Sequence, residues 1–339
     1  ISNKDSGCGI LKVVFNNAST KAYTNTWNLG NGQISTLVNP VIEYESAKKT
    51  DTVYTIKLNV TNWSGCKDST TSKVKVFPGP TADYTMDKNN GCGPLTVAFT
   101  NKSLTNNSNN VSTLKYLWRF NNGSTSTSAN PSAVFGAAGL KDTFYSVSLK
   151  TTTINGCYDS ISKKVQVYPL PKIVFVADKT EGCQILNINF TNKSIPGDTG
   201  NIGMMSFNWN GGNGNKGNLQ NYKNSYRASL TKDTVYKVKL IGYSEHGCKD
   251  SSNVNITVHP DPKAQFNLNV TSGCTPLNVK TLNKSLAFDG GALTHSWKFG
   301  NSLISFNGDD SLVYYNYTNK DTVYKVWYEA TSQYGCKDT

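Results

Sequence analysis

Hydrophobic and polar residues alternate with a period of two along most of this chain, which is the pattern of strands with one buried and one solvent-facing side. The clearest run places Tyr54, Ile56, Leu58 and Val60 between polar residues. The same alternation recurs roughly 90 residues apart, at Tyr145/Val147/Leu149, Tyr236/Val238/Leu240 and Tyr324/Val326/Tyr328. Because helical periodicity is absent throughout, the sequence predicts an all-β protein.

The eight cysteines set the period of an internal repeat. They form two series that advance by 84 to 91 residues: Cys8, Cys92, Cys183 and Cys274, then Cys66, Cys157, Cys248 and Cys336. Every cysteine follows a glycine, and each second-series cysteine lies 26 residues before the next first-series cysteine. We therefore predict four modules, at 1–80, 81–171, 172–262 and 263–339. Module 1 lacks its first strand and module 4 its last, so we expect the sequence to be a segment of a longer protein.

Each module carries the same markers at nearly fixed intervals. One tryptophan per module is predicted to be a core residue: Trp27, Trp118, Trp209 and Trp297. An Asp-Thr pair begins 24 residues after each of them, whereas the interval from an upstream Asn-x-Ser to the tryptophan varies between 8 and 15 residues. Variation at one place predicts a surface loop on a rigid frame. Modules of about 90 residues with about seven short strands and a buried tryptophan indicate a sandwich of two β-sheets.

A Pro-x-Pro linker separates successive modules. The three linkers are Pro78-Gly79-Pro80, Pro169-Leu170-Pro171 and Pro260-Asp261-Pro262. Proline fixes φ and has no amide donor, so the last strand of one module cannot continue into the first strand of the next. Short, stiff linkers predict an elongated rod of four modules.

The chain is 37% hydrophobic and has a formal net charge of +12. A basic balance raises nucleic acid, anionic polysaccharide and membrane surfaces as possible partners. The four modules carry +4, +4, +3 and +1 with no basic arm, which is typical of solvated strand faces, so we expect no nucleic-acid partner. No apolar run approaches the roughly 20 residues that span a bilayer, so we expect no direct membrane insertion. We also find no signal peptide.

Residue types that carry catalysis do not recur from module to module. The histidines, His246, His259 and His295, have no counterparts in the other modules, and no nucleophile, metalloprotease or phosphate-loop motif is present. The aspartate two residues after each second-series cysteine lacks a partner carboxylate and is predicted to be a turn residue. The sequence therefore predicts no enzyme, no catalytic residue and no cofactor. The close-set cysteine pairs of zinc sites are also absent, so we expect no metal.

Several motifs resemble those of one known family. Residues 116–120 read Tyr-x-Trp-x-Phe, Asn-Pro occurs at 39–40 and 130–131, and Gly-Cys-x-Asp follows each long alternating strand. The pattern resembles the PKD domain, in the cysteine-containing form found in large surface proteins of gliding Bacteroidota, including SprB-type gliding-motility adhesins. The resemblance implies an immunoglobulin-like sandwich, export by the type IX secretion system, and a role in adhesion or as a stalk.

The sequence departs from that family at the turn after the tryptophan. The family's Phe-Gly-Asp-Gly has asparagine for aspartate in all four modules, at Asn31, Asn122, Asn213 and Asn301. Calcium prefers several carboxylate oxygens, so this departure argues against a calcium site at the turn.

Two cysteines per module fit a disulfide framework in an oxidising, extracellular compartment. In an immunoglobulin-like sandwich the two cysteines of one module lie at opposite ends, whereas a disulfide needs Cα atoms roughly 4.4 to 6.8 Å apart. We therefore favour bonds between modules, joining Cys8 to Cys157, Cys92 to Cys248 and Cys183 to Cys336. Cys66 and Cys274 would be free or bonded outside the chain. The alternative pairs cysteines within modules: 8 with 66, 92 with 157, 183 with 248, and 274 with 336.

Three functions remain open at this point. Fixed linkers and the lack of a recurring site favour a non-catalytic stalk or filament segment of a large secreted cell-surface adhesin, whose partners are further repeats of the chain and an extracellular polysaccharide or surface. A carbohydrate-binding array would need exposed aromatic residues, for which Trp63 is a candidate, although packing against a neighbouring module is favoured. The third function is the accessory region of a secreted hydrolase.

Asp-Thr-Val at 51–53, 233–235 and 321–323 resembles a bacterial O-glycosylation site, but a strand start is the favoured interpretation.

Overall fold

The computed structural model describes residues 2–47, 50–106, 114–197 and 202–339. Within these ranges the regular structure is β-strand, apart from a single 3₁₀ turn at Ile202–Met204. The chain forms two compact units, Ile1–Pro169 and Leu170–Thr339. Modules 1 and 2 belong to the first unit and modules 3 and 4 to the second. The predicted variable loops include residues 107–113 and 198–201, which lie outside the described residues.

Module 1 consists of two sheets packed on one core. Its strands are β1 (Ser6–Cys8), β2 (Ile10–Val14), β3 (Thr24–Asn28), β4 (Ile34–Ser35), β5 (Val41–Glu45), β6 (Thr52–Thr61) and β7 (Lys67–Phe77). One sheet has the order β1-β7-β6-β3-β4 and the other pairs β2 with β5. A bridge between Ser2 and Phe15 stands where the other modules have a first strand.

Module 2 adds that first strand and is otherwise built in the same way. Its strands are β8 (Tyr84–Met86), β9 (Asn90–Cys92), β10 (Leu95–Asn101), β11 (Lys115–Arg119), β12 (Thr125–Ser126), β13 (Ser132–Phe135), β14 (Thr143–Thr152) and β15 (Tyr158–Tyr168). The sheets have the orders β13-β10-β8 and β12-β11-β14-β15-β9.

Modules 3 and 4 repeat this arrangement in the second unit. The strands of module 3 are β16 (Phe175–Ala177), β17 (Glu181–Cys183), β18 (Leu186–Asn192), β19 (Ser206–Asn210), β20 (Lys216–Gly217), β21 (Tyr222–Tyr226), β22 (Thr234–Tyr243) and β23 (Lys249–His259). Those of module 4 are β24 (Phe266–Leu268), β25 (Leu277–Asn283), β26 (Thr294–Lys298), β27 (Ile304–Ser305), β28 (Ser311–Tyr314), β29 (Trp327–Thr331) and β30 (Lys337–Asp338). The sheet orders are β16-β18-β21 and β17-β23-β22-β19-β20 in module 3, and β24-β25-β28 and β27-β26-β29-β30 in module 4.

In modules 1 to 3 the alternating runs of the sequence form the central hairpin of the large sheet. In module 2, β14 pairs with β15 over ten residue pairs, from Thr143–Val167 to Thr152–Tyr158. Val147 and Leu149 on β14 are fully buried, whereas Phe144 on its opposite side is 59% exposed. The prediction of half-buried strands from the period of two is therefore confirmed for this hairpin.

In module 4 the run predicted at Tyr324/Val326/Tyr328 becomes a strand only at Trp327, because its partner β30 spans just Lys337–Asp338. The prediction of a strand is therefore wrong for Tyr324 and Val326.

Each core tryptophan lies between the two sheets of its module. Trp27, Trp118, Trp209 and Trp297 are at most 3% exposed. In every module the indole N–H donates to the backbone carbonyl ten residues later, at 2.9 to 3.1 Å. The acceptors are Leu37, Ser128, Leu219 and Asn307. A buried indole N–H needs such a partner, so this bond fixes the loop that follows the strand.

The recurring Asn-x-Ser motif is a turn. Its asparagine Oδ1 accepts a hydrogen bond at 2.9 Å from the serine N–H in all four modules, at Asn17, Asn101, Asn192 and Asn283. The N–H of the same asparagine donates to a side chain from the loop before the next strand, at Asn39, Asn130, Asn221 and Asp309. Asparagine favours such turns because its side chain bonds nearby backbone. In modules 1 and 2 the Asn-x-Ser motif and Asn-Pro are therefore two halves of one structural contact.

Module 4 departs from the others at Thr281, which occupies the place of a core phenylalanine. Thr281 is 3% exposed. Its Oγ1 donates to the carbonyl of Asp310 at 3.2 Å and accepts from the Asp310 N–H at 2.7 Å. The buried hydroxyl is thus satisfied, which removes most of the penalty of placing it in a core.

Candidate functional site: the joints between modules

We call the region where the two modules of one unit meet a joint, namely joint 1–2 and joint 3–4. Each second-series cysteine lies on a hairpin turn. The turn of module 2 has hydrogen bonds from Thr153 N–H to the Cys157 carbonyl (2.8 Å) and from Gly156 N–H to the Thr153 carbonyl (3.0 Å). The turns ending at Cys66, Cys248 and Cys336 have the same two bonds. The glycine before each of these cysteines has a φ between +76° and +83°, a conformation that side chains disfavour. Glycine therefore serves the turn in this series.

The first-series cysteines follow glycine for a different reason. A Cβ on Gly7, Gly91, Gly182 or Gly273 would lie 2.4 to 2.8 Å from the side chain of a leucine four residues later. That leucine begins the next strand and packs into the core, except for the partly buried Leu277 in module 4. In modules 1 to 3 the Gly-Cys segment is a three-residue strand that runs parallel to the last strand of its module.

The structure joins Cys8 of module 1 to Cys157 of module 2, with Cα atoms 5.4 Å apart. In the second unit it joins Cys183 to Cys336, with Cα atoms 5.3 Å apart. Among the described cysteines, Cys66 and Cys274 have free, exposed thiols. The bond of Cys92 with Cys248 would join one unit to the other and stays a prediction.

The alternative pairing within modules is wrong for the cysteines of these two bonds. Cys8 lies beside Phe77 at the end of β7, and Cys66 precedes Lys67 at the start of the same strand. Eleven residues of extended chain separate those ends, which is about 35 Å. A disulfide cannot span that distance, so a bond to the next module is the one within reach.

In modules 2 to 4 the aspartate two residues after the second-series cysteine attaches the hairpin to the start of its own module. Asp159 Oδ2 accepts a hydrogen bond from Ala82 N–H at 2.8 Å, and Asp338 Oδ2 accepts one from Ala264 N–H at 2.8 Å. In module 3, Asp250 makes the longer equivalent bond to Ile173 N–H at 3.4 Å. These three carboxylates therefore have structural hydrogen bonds.

The linkers at the two joints are packed. Pro78, Pro80, Pro260 and Pro262 are all buried. Asn106 Nδ2 donates to the carbonyl of Gly79 at 3.1 Å, and Thr81 pairs with Leu104 through two backbone bonds of 2.9 Å. A covalent linker, a disulfide and an aspartate hydrogen bond therefore converge at joint 1–2.

Joint 3–4 contains a histidine to which the sequence assigned no role. The His259 ring is 2% exposed and stacks on Tyr334 of module 4, with ring centroids 3.7 Å apart and planes inclined by 8°. His259 Nδ1 lies 2.9 Å from Asp233 Oδ1. The equivalent residues at the ends of β7 and β15 are Phe77 and Tyr168. Residues with a ring therefore recur at this position. Comparing the last residues of these strands in the sequence would have shown the recurrence.

Trp63 lies on the turn that ends at Cys66. Its side chain is 77% exposed and its ring lies against that of Tyr23 of the same module, with centroids 3.5 Å apart and planes inclined by 31°. Packing of Trp63 against a neighbouring module stays a prediction. Tyr23 is itself 56% exposed, so the two rings form an exposed aromatic pair.

Two of the asparagines in the turn after the core tryptophan, Asn122 and Asn213, form the turn through both polar atoms of their amides. Asn122 Oδ1 accepts from Ser124 N–H at 2.9 Å, while its Nδ2 donates to the Val134 carbonyl at 2.9 Å. Asn213 makes the same pair of contacts, to Asn215 N–H and the Ser225 carbonyl. A carboxylate could accept the first bond but could not donate the second. The asparagine is thus used as an amide.

Across the described ranges, one group of three metal-binding residue types comes together: Cys183, Asp261 and Cys336. Cys183 and Cys336 form the disulfide at joint 3–4, so neither has a thiolate available as a metal ligand.

The threonines of the Asp-Thr motif cap a loop. Thr52, Thr143 and Thr234 each accept a hydrogen bond at 2.7 Å from a backbone N–H five residues earlier. This contact agrees with the favoured interpretation of the motif as a strand start.

Comparisons with known proteins place this geometry in context. No protein-family model matches the chain, and no curated protein matches it. Among solved structures, the PKD1 domain of the Vibrio cholerae metalloprotease PrtV is 30% identical over 26% of this chain and 98% of its own, with a TM-score of 0.21. A tetra-tandem repeat from the extending region of a large adhesion protein covers 97% of this chain and 92% of its own at 12% identity, with a TM-score of 0.29. Three titin immunoglobulin domains, I67–I69, cover 76% and 97% at 10% identity, with a TM-score of 0.35.

The sheet orders decide the fold. In each complete module a small sheet packs on a larger one across a single tryptophan-centred core. The chain is a tandem array of immunoglobulin-like β-sandwich modules. Among the described residues of the array, no helix has the length and apolarity needed to cross a membrane.

Proposed function

We propose that the array is a non-catalytic stalk segment of a large secreted cell-surface adhesin, built to keep its modules in register under load. The observation that carries the proposal is the disulfide between consecutive modules at joints 1–2 and 3–4. A bond within a module would stabilise that module alone, whereas a bond across a joint limits the movement of one module against the next.

The disulfides also support an extracellular location, because reducing compartments keep thiols free. The recurring side chains of the modules, namely the tryptophans, the Asn-x-Ser asparagines and the aspartates after the cysteines, have structural partners. A role in surface attachment or gliding motility, and export by the type IX system, rest on the resemblance of the sequence motifs to cysteine-containing PKD repeats.

The exposed Tyr23–Trp63 pair favours a second candidate, binding of a carbohydrate by module 1. An exposed aromatic face with an apolar body and polar edge is suited to pack against the C–H face of a sugar ring. The pair has no counterpart in module 2, where Leu114 and Ile154 stand at the two positions. A recognition site would therefore belong to one module and not to the array.

Binding of the purified chain to a panel of immobilised polysaccharides, at low and moderate salt, separates the two candidates. The stalk proposal predicts no saturable binding that survives moderate salt, because the diffuse charge of +12 gives only screened attraction. Trp63→Ala is the test variant, and Ile154→Ala, at the equivalent 72% exposed position, is the matched control. Salt-resistant binding to one glycan that Trp63→Ala abolishes and Ile154→Ala retains would replace the stalk with a carbohydrate-binding role for module 1.

A further inference from the structure

The linker residue beside the disulfide differs between the two joints. At joint 3–4 it is Asp261, one carboxylate oxygen of which lies within 4.8 Å of the sulfur atoms of both Cys183 and Cys336. At joint 1–2 the equivalent residue is Gly79, because each of the two residues follows by two positions the strand end that pairs with the first-series cysteine. A carboxylate therefore lies beside one disulfide, whereas a glycine stands at that place beside the other.

The carboxylate of Asp261 is held near the disulfide by its surroundings. Asp261 lies between two buried prolines of the linker, and its Oδ2 accepts a hydrogen bond from Gln184 Nε2 at 3.3 Å. Lys337, which follows Cys336 in the chain, forms an ion pair with Glu329 at 2.8 Å. The charge of this neighbouring lysine is therefore balanced by another carboxylate.

The two disulfides present the same side to solvent. The second-series cysteines Cys157 and Cys336 are 1% exposed, whereas the first-series cysteines Cys8 and Cys183 are partly exposed. A thiol in solution therefore reaches the first-series cysteine of each bond, and the second-series cysteine is the leaving group. The direction of attack is common to both joints, so the charge of Asp261 is what distinguishes them.

We propose that the Cys8–Cys157 disulfide is the site at which anionic small-molecule thiols open the array, and that Asp261 shields the Cys183–Cys336 disulfide from them. The attacking species is a thiolate, and its negative charge is shared with the disulfide sulfurs as the bond is exchanged. A carboxylate within 4.8 Å repels that charge, and the repulsion is stronger beside a partly covered site than in bulk water. The assignment holds whether or not the array carries load.

Opening joint 1–2 takes two molecules of the small thiol. The thiolate of the first attacks the Cys8 sulfur, the bond to Cys157 breaks, and the Cys157 thiolate takes up a proton. The thiolate of the second attacks the small-molecule sulfur of the mixed disulfide and displaces the Cys8 thiolate, which also takes up a proton. One protein disulfide is reduced to two thiols, two small thiols are oxidised to one disulfide, and the two protons are those that the small thiols lost.

Reduction of both bonds in the same sample measures the difference directly. The free thiols of the full chain, Cys66 and Cys274, are first blocked with iodoacetamide. The chain is then incubated with reduced glutathione, whose net charge is negative at neutral pH, and samples are quenched with N-ethylmaleimide over time. Peptide mapping gives the rate at which the maleimide label appears on Cys8 and on Cys183. A parallel incubation uses cysteamine, a thiol with a cationic amine.

With glutathione at low salt we expect Cys8 to be labelled roughly tenfold faster than Cys183. The ratio should shrink at high salt, which screens the carboxylate. With cysteamine the ratio should fall to about threefold or less, because Asp261 attracts the amine of this thiol. The response to the charge of the thiol separates electrostatic shielding from shielding by the bulk of Tyr334, which stacks on His259 at the same joint.

Two reciprocal variants of the linker test the role of the carboxylate. Asp261→Asn keeps the size of the side chain, removes its charge, and should bring the glutathione rate at Cys183 to within about threefold of that at Cys8. Gly79→Asp places a carboxylate at joint 1–2, and among the described residues no atom beyond its chain neighbours lies within 4 Å of a Cβ at that position. This variant should slow labelling of Cys8 roughly tenfold and leave Cys183 unchanged.

Equal rates at Cys8 and Cys183 with glutathione in the unsubstituted chain would overturn the proposal. A difference in rate that persists in Asp261→Asn and with cysteamine would assign the shielding to the bulk of Tyr334, and would overturn it as well.

Discussion

At the scale of the residue, the four asparagines after the core tryptophans have an amide nitrogen where aspartate has a second oxygen. That one atom changes the hydrogen bonds that the turn can make. Asparagine serves this turn as an acceptor, since Oδ1 of Asn122 caps it in module 2. The sequence could not show that Nδ2 also bonds the carbonyl of Val134, twelve residues away, because that pairing depends on how the turn packs against β13. Asparagine at this position therefore lacks the carboxylate of aspartate but supplies a side-chain N–H that donates a hydrogen bond within the module.

Restoring the family's aspartate at this turn should weaken module 2. In Asn122→Asp the carboxylate cannot donate to the Val134 carbonyl, and we expect a loss of about 0.5 to 1.5 kcal/mol in the free energy of unfolding, because this hydrogen bond is exposed to solvent. Asn31→Asp is the matched control, because the bond of Asn31 to Gln33 N–H uses the side chain as an acceptor. Urea unfolding of both variants measures the difference. Equal destabilisation of the two would contradict the role of the amide donor.

His295 gives module 4 a dependence on pH. Burial lowers the pKa of its imidazole below the usual 6.5, with the charge of Asp309 partly opposing the shift. Since the unfolded chain binds a proton that the folded module resists, stability is fully present above pH 6.5 and falls as the pH drops through the lowered folded value. We expect thermal unfolding of module 4 to shift downward between pH 7 and 5, and His295→Asn to flatten that part of the profile. A profile with the same slope in both proteins would refute this assignment.

At the scale of the element, the two Gly-Cys motifs look identical in sequence but differ in structure. The sequence shows that a glycine precedes every cysteine. It cannot show why, because a positive φ and a close leucine are both consequences of tertiary packing. The short edge strands β1, β9 and β17 were not predicted, since three residues carry no periodicity. The long strands were predicted because ten residues of alternation leave little ambiguity.

The difference predicts that alanine destabilises the two glycine positions for different reasons. In Gly182→Ala the new Cβ clashes with Leu186, and overpacking should cost about 1 to 3 kcal/mol, part of which a smaller side chain in Leu186→Val returns. In Gly247→Ala, the turn glycine of the same module, the cost comes from the positive φ, and Leu186→Val should not reduce it. A double-mutant cycle in denaturant measures both couplings. Absence of coupling between positions 182 and 186 would contradict the close approach.

At the scale of the whole molecule, the sequence predicted the all-β fold and the order of the cysteines in the two bonds described, from their spacing and the expected ends of a sandwich. It missed the stacking of His259 on Tyr334 because the residues that end these strands, Phe77, Tyr168 and His259, share a ring and not a residue type. Packing of Trp63 against a neighbouring module stays a prediction.

The two joint disulfides also define the covalent route that a pulling force follows. Force applied at the termini crosses from Cys8 to Cys157 and from Cys183 to Cys336 without passing through the residues between them. The remaining stretch, from Cys157 to Cys183, contains 26 residues and is about 90 Å long when fully extended. The unbonded backbone from Cys8 to Cys336 would extend to about 1,100 Å.

Single-molecule stretching of the chain from its two termini, before and after reduction, tests the stalk proposal most directly. The oxidised chain should extend to about 90 Å between Cys8 and Cys336 even at forces that unfold its modules, and the reduced chain should extend roughly tenfold further. Cys8→Ser/Cys157→Ser, with the second bond intact, should give an intermediate length. An oxidised chain that extends as far as the reduced one would contradict the claim that joint disulfides carry the load.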